Sequence, residues 1–342
     1  MGFAPYGDYW RQVRKMSAVE LFSHQRVHSF QFVRDEEIEL LINKIRSTCG
    51  KGESINLSKM LVFVSSNIVS RSILSHRSEA EDGCSKFGEL VKRLMVLFTG
   101  FCVGDMFPYL RWVDVLTGYI PSMKALFAEL DGILNQVIQE HRAVESREKD
   151  FVSIIMKLQK DGGTDTSATA TEWIMAELLK HPNAMKNVQQ EVRNVVVGNK
   201  SKVDQDDIAK MEYLKCVVKE TLRLHPPVVF VPRKTSASIK LEEIPNGGKT
   251  EKSSPERFEN SSIDFQGQDF HYIPFDFGRR GCPGMSFGVA SVEYVMASLL
   301  YWVDWKLPAG EIFENVDMTK LYGLTVCKKT HLHALAIPHS SF

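Results

Sequence analysis

Nowhere in the sequence is there a run of the roughly 18–20 apolar residues that a bilayer crossing requires; the best candidate, Leu94 to Val103, holds Thr99 and Gly100. The sequence therefore predicts no membrane-spanning helix, and the opening MGFAPYGDYWRQVRKM reads as neither a signal peptide nor an anchor. An excess of either charge is also missing. Lys+Arg and Asp+Glu both number 42, which gives no global reason to expect nucleic acid or an acidic polymer as partner. The six cysteines form no CxxC pair and no regular spacing, which argues against a disulfide framework or zinc ribbon and for a reducing compartment. Internal repeats and low-complexity segments are absent, and strand-like alternation is scarce.

What is present is helical. The 342 residues are 44% apolar and 25% charged, the mix of a globular protein with one large core or two ordinary ones. Apolar residues recur three and four apart over Glu36–Arg46, Leu126–Val144, Glu172–Leu179, Asn183–Val196 and Tyr213–Leu224, while Ser286–Trp302 is apolar almost all round and predicts a buried helix. Pro182 and Pro226-Pro227 punctuate these helices, because proline supplies no amide donor. Short strands are expected at Val228–Val231, Ser236–Leu241, Leu324–Val326 and His331–Ile337, and a polar loop over 242–262. The expectation is a mainly α protein with a minor β component, built as a single domain over 1–342.

One cysteine stands apart. Cys282 lies in PFDFGRRGCPGMSF, directly before Pro283-Gly284 and the long apolar helix. A thiolate there meets the positive end of the helix dipole and free backbone amides, both of which favour ionisation. Gly278, Gly281 and Gly284 allow positive φ and close approach by something flat and bulky. A lone soft thiolate with no second Cys or His beside it suits the iron of a haem better than zinc or an iron–sulfur cluster. The competing reading is a buried structural cysteine in a Gly-rich turn. The full pattern Phe275-x-x-Gly278-x-Arg280-x-Cys282-x-Gly284 resembles the haem-binding signature of the cytochrome P-450 family at all five of its positions.

The resemblance extends to other motifs and implies roles for them. Glu220-Thr221-Leu222-Arg223 is similar to the family's ExxR helix, and Pro255-Glu256-Arg257-Phe258 to the segment whose arginine closes that pair into a buried triad of Glu220, Arg223 and Arg257. Gly162-Gly163-Thr164-Asp165-Thr166-Ser167 resembles the oxygen-activating stretch, where Thr166 would hydrogen-bond bound dioxygen and Asp165 would help deliver protons. Read without that resemblance, the same stretch is an ordinary helix cap. Trp10-Arg11-Gln12-Val13-Arg14 looks like the family's WRxxR helix. There Trp10 and Arg14, joined by Arg233 and Arg280, would hold haem propionates. The implied substrate pocket includes Phe98, Val103, Gly163, Val228, Val229, Phe230, Val231, Tyr322 and Leu324. His331-Leu332-His333 pairs two imidazoles on one strand face, too few for a metal site.

The text between motifs resembles plant microsomal A-type enzymes, which oxidise small hydrophobic metabolites such as terpenoids, phenylpropanoids and amino-acid-derived oximes. That implies haem b, dioxygen and a hydrophobic substrate. It also implies NADPH–cytochrome P-450 reductase as electron donor, with Arg11, Arg14, Lys15 and Arg279 on a basic proximal face, and the cytosolic face of the endoplasmic reticulum as location. A thiolate-haem dehydratase acting on an oxime would use the same site without Thr166, and a truncated relative would at most bind haem without turnover or would fail to fold. Three departures from the family pattern are expected to make the fold incomplete. The family's anchor, N-terminal sheet and first helices have no counterpart here. LQKDG runs directly into GTDTS, where the first half of the central helix belongs. The strands before PERF are missing between Lys240 and Ser253.

Overall fold

The computed structural model describes residues 6–49, 53–74, 102–143, 165–196, 202–229, 252–266, 269–308, 310–323 and 325–339, with Leu90, Arg93, Leu97 and Gly100 as single residues between the second and third stretches. Its α-helices, in chain order, are α1 (Asp8–Met16), α2 (His24–Ser29), α3 (Gln31–Thr48), α4 (Leu57–Leu74), α5 (Val103–Met106), α6 (Arg111–Leu116), α7 (Tyr119–Ala143), α8 (Asp165–Lys180), α9 (Pro182–Val195), α10 (Gln205–Ala209), α11 (Glu212–Leu224) and α12 (Met285–Trp302). The junction at Gly162-Gly163, the expected strand over 236–241 and the expected loop over 242–251 lie outside the described residues.

Helix ends follow local chemistry. Pro182 is the first residue of α9, where the missing amide costs nothing, and α11 stops at Leu224, two residues before Pro226-Pro227. A reciprocal capping box between Asp204 and Asp207 starts α10. At the centre, α8 packs against α4, α11 and α12. Trp173, Ile174, Met175 and Ala176 of α8, with Met296, Ala297, Leu299 and Leu300 of α12, are wholly buried. Burying one large aliphatic side chain of this kind is worth about 1.5–3 kcal/mol. The all-round apolar pattern of α12 is thus explained by neighbours on every side.

Two small antiparallel sheets flank the helices. One has the order β1 (Ile55–Asn56), β5 (His333–Pro338), β2 (Val303–Lys306), with Ile55 opposite Ala334 and Val303 opposite Pro338. The other is a hairpin of β3 (Lys320–Leu321) and β4 (Cys327–Lys328), with Lys320 opposite Lys328. Two strand expectations need correction. Pairing in the hairpin begins at Cys327, so Thr325 and Val326 of the expected strand precede the ladder instead of joining it, and Leu324 lies outside the described residues. Val228 and Val229 are in no strand: they follow Pro226-Pro227, and this stretch joins the hairpin through the Pro227 carbonyl, which accepts from Val326 N at 2.8 Å. No helix of the described residues is long and apolar enough to cross a membrane.

Candidate functional site

The cysteine loop is folded by its own backbone. Cys282 N donates to Phe275 O at 2.9 Å, and Gly281 N donates to Gly278 O at 3.1 Å around a 3-10 turn at Gly278–Arg280. The left-handed positions are Asp276 (φ 62°) and Gly278 (φ 66°). Asp tolerates this region better than most residues, and the Asp276 carboxylate accepts from Phe277 N at 2.8 Å. The expectation that all three glycines supply positive φ is therefore corrected. Gly281 (φ −53°) and Gly284 (φ −88°) lie on the ordinary side, and a Cβ at either would meet only ordinary contacts. Phe275 packs edge-on against Phe265, with ring centroids 5.5 Å apart, and so seats the start of the loop on the core.

The N-terminal helix props the loop from the other side. Trp10 is buried, and the Arg280 guanidinium lies over its ring at 4.9 Å. Arg279 covers the ring of Tyr6 at 5.2 Å and donates to its hydroxyl at 3.0 Å. Arg14 donates to the carbonyl of Gly281, the residue before the cysteine. Such cation–ring contacts contribute about 0.5–1 kcal/mol at exposed sites and more when desolvated. Three of the residues assigned to the cofactor, Trp10, Arg14 and Arg280, thus converge on the loop that carries Cys282. Of the residues expected on a basic face, Arg11, Lys15 and Arg279 are exposed.

Cys282 itself is exposed, yet desolvation is the first cause acting on its thiol. The sulfur is therefore reachable from solvent while the surrounding protein still disfavours its charged form. The helix-end amide of Gly284 and the charge of Arg14 pull its pKa down, as the sequence implies, but desolvation is larger and the thiol is pushed up. The expected pull of the backbone amide toward ionisation is present, and desolvation outweighs it. A cation bound at the sulfur supplies what the amide does not.

The structure brings Glu220, Arg223 and Arg257 together. Glu220 is buried and accepts from Arg223 Nε at 2.8 Å, Arg223 Nη2 at 2.9 Å and Ser254 N at 2.9 Å, with Arg257 Nε at 3.5 Å. Thr166 is exposed on the first turn of α8, and Asp165 opens that helix. The next residue, Ser167, faces α12: its hydroxyl lies 3.6 Å from where a Cβ on Gly288 would be. Ser167 and Thr171 line a small recess against Phe287, Ser291 and Val292, where the Ser291 hydroxyl is buried without a hydrogen-bond partner. Of the pocket residues, Val103 and Val228 are partly buried, while Val229 and Tyr322 are exposed. Phe98, Gly163, Phe230, Val231, Arg233 and Leu324 lie outside the described residues, as does the side chain of Asp165.

Sequence reasoning assigned no role to Trp173, Glu177 and His225. Glu177 Oε1 lies 2.6 Å from His225 Nε2, and the His225 ring stacks on Trp173 at 4.1 Å with planes 4° apart. Hydrogen bonds from His181 and His225 overcome desolvation and hold the Glu177 carboxylate down at about pKa 2. Burial lowers His225, so its Nε2 carries the proton donated to Glu177. A tryptophan and a glutamate four apart in the apolar stretch 173–179 of that helix were the available signal.

An exposed single sulfur, with the Arg14 guanidinium on the carbonyl of the preceding residue, fits a metal held through one thiolate, as in a thiolate-ligated haem. A mostly helical core carrying such a loop defines a haem-thiolate protein. The chain belongs to the cytochrome P-450 family, whose model matches residues 2–247 and 249–334, and its cofactor is haem b. It is 42% identical to phenylacetaldehyde oxime monooxygenase CYP71AN24 of Prunus mume, covering 99% of this chain and 74% of that relative. It is 40% identical to cytochrome P-450 71A1 of Persea americana (100% and 78%) and 35% identical to melianol synthase CYP71BQ4 of Citrus sinensis (99% and 75%). The alignment with the Prunus enzyme runs over 389 positions, which exceeds the chain's 342 residues by 47, so that relative has internal segments with no counterpart here. By family this is a plant monooxygenase of secondary metabolism.

Proposed function

We propose that the chain inserts one oxygen atom of dioxygen into a small hydrophobic plant metabolite, with electrons from NADPH by way of a reductase: RH + O2 + NADPH + H+ gives ROH + H2O + NADP+. The observation that carries this reading is the packing of Trp10 and Arg14 against the loop of Arg280 and Gly281 that leaves the Cys282 sulfur exposed. Haem, when bound, supplies reductive activation of dioxygen. Cys282 would ligate its iron and supply the thiolate electron donation that such oxygen chemistry uses. Trp10, Arg14, Arg233 and Arg280 would hold its propionates. Phe275, Gly278 and Gly284 shape the loop. Thr166 holds a proton at its hydroxyl on the distal side, and Asp165 resupplies it. Val103, Val228, Val229 and Tyr322, with Phe98, Gly163, Phe230, Val231 and Leu324, line the space for substrate.

The names of the relatives support the substrate class: one acts on phenylacetaldehyde oxime and another makes melianol. The family's plant members support the cytosolic face of the endoplasmic reticulum as the setting. The test is turnover of an oxime and terpenoid panel with NADPH, a plant reductase and isotopically labelled dioxygen. One labelled oxygen per product, lost together with NADPH, supports the reading. Product formed without reductant or dioxygen assigns an oxime dehydratase instead.

A further inference from the structure

Trp173 on the third turn of α8 is wholly buried. His225 stacks on it at 4.1 Å, and Lys328 and Lys320 of the hairpin place their ammonium groups 5.1 Å and 5.9 Å from the ring centroid. Its Nε1 donates to Val326 O at 2.9 Å. Val326 N in turn donates to Pro227 O at 2.8 Å, and Lys320 Nζ donates to Leu224 O at 3.1 Å. One turn along α8, Glu177 accepts from His225 Nε2 at 2.6 Å. These contacts close a circuit from α8 through His225 and Pro227 to Val326 and back to Trp173.

The circuit ties Pro227, which adjoins the pocket residues Val228 and Val229, to Val326 of the hairpin that carries Tyr322, and among the described residues no sheet pairing joins the two. A buried charge held by histidine is not the most stabilising choice, since well-packed apolar groups of similar volume often serve as well. What directional hydrogen bonds and a stacked ring add is a fixed distance and angle. We propose that Trp173, Glu177 and His225 form a positioning hub that sets the separation of Val228 and Val229 from the hairpin residue Tyr322, and so which substrates the pocket accepts, without touching the substrate. This rests on the pocket assignment of the proposed function.

The test uses the haem-loaded chain with the variants W173F, E177Q and H225N. Phe keeps the stacked ring and deletes the donor to Val326. Amide exchange over 325–328 is expected to rise roughly fivefold or more in W173F, the loss of about one hydrogen bond, with α11 unchanged. Binding of 4-phenylimidazole, read by the Soret shift, should change several-fold relative to imidazole, whose own affinity stays within about twofold. Unchanged exchange and an unchanged affinity ratio overturn the hub. If W173F does not fold, E177Q and H225N carry the same two readouts. Absence of any Soret shift with imidazole in the unsubstituted chain contradicts the haem reading instead. Amide exchange, which needs no haem, then decides the hub alone.

Discussion

The Cys282 loop and the Glu220 triad are both held by arginine, and they use it in opposite ways. Around Glu220 the guanidinium groups of Arg223 and Arg257 and the Ser254 amide close on a buried carboxylate, joining α11 to a segment 34 residues away. Around Cys282 the guanidinium groups of Arg279 and Arg280 face the rings of Tyr6 and Trp10, and Arg14 meets a carbonyl, so the sulfur stays reachable. The triad spends its charges on closure. The loop keeps its reactive atom open and is fixed by the residues around it.

The largest effect should come from breaking the closure. Glu220→Ala leaves two guanidinium groups and an amide without their acceptor and should cost about 3–5 kcal/mol, read by urea unfolding. A loss below about 1 kcal/mol would put the triad on the same footing as a surface pair.

A third anion extends the contrast to pH. Glu177 falls from 4.5 to about 2 in the folded protein, which corresponds to about 3 kcal/mol. Because its folded pKa is depressed, that contribution is present above pH 4.5 and is lost as pH falls toward 2. His181, raised by the same carboxylate, adds a contribution that is full below pH 6.5 and is lost as pH rises through its folded value. Glu177→Gln should therefore flatten the acid limb of the stability profile while leaving the limb set by other carboxylates.

On the loop, Arg280→Ala removes the cation from the Trp10 face and should cost about 1 kcal/mol, with Arg280→Lys recovering part of it. The smallest change in stability should follow Cys282→Ser. The side chain is exposed, so unfolding should shift by no more than about 0.5 kcal/mol while thiolate ligation is abolished.

Much of this was legible in the residues. The apolar periodicity over 126–144 and 213–224 became α7 and α11, and the all-round apolar 286–302 became the buried α12. The helix Leu57–Leu74 was not anticipated. Its mixture of Val, Ile and Ser lacks a helical period because it is packed against both α3 and α8. Strand register was hidden as well, since β5 pairs with β1 and β2 from distant parts of the chain. At the site, fixed spacing made the Cys282 loop readable. The stacking of Arg280 on Trp10 and the reach from Trp173 to Val326 depend on how elements cross, which no local pattern records.

The central claim is that Cys282 presents a thiolate to haem iron from a loop that survives without it. It is tested most directly by the reduced, carbon monoxide-bound spectrum of residues 1–342 beside that of Cys282→Ser. The account expects a red-shifted, thiolate-type Soret band in the first and its loss in the second, with both proteins unfolding at nearly the same urea concentration. Failure of the unsubstituted chain to take up haem, or the same band in both proteins, would contradict it.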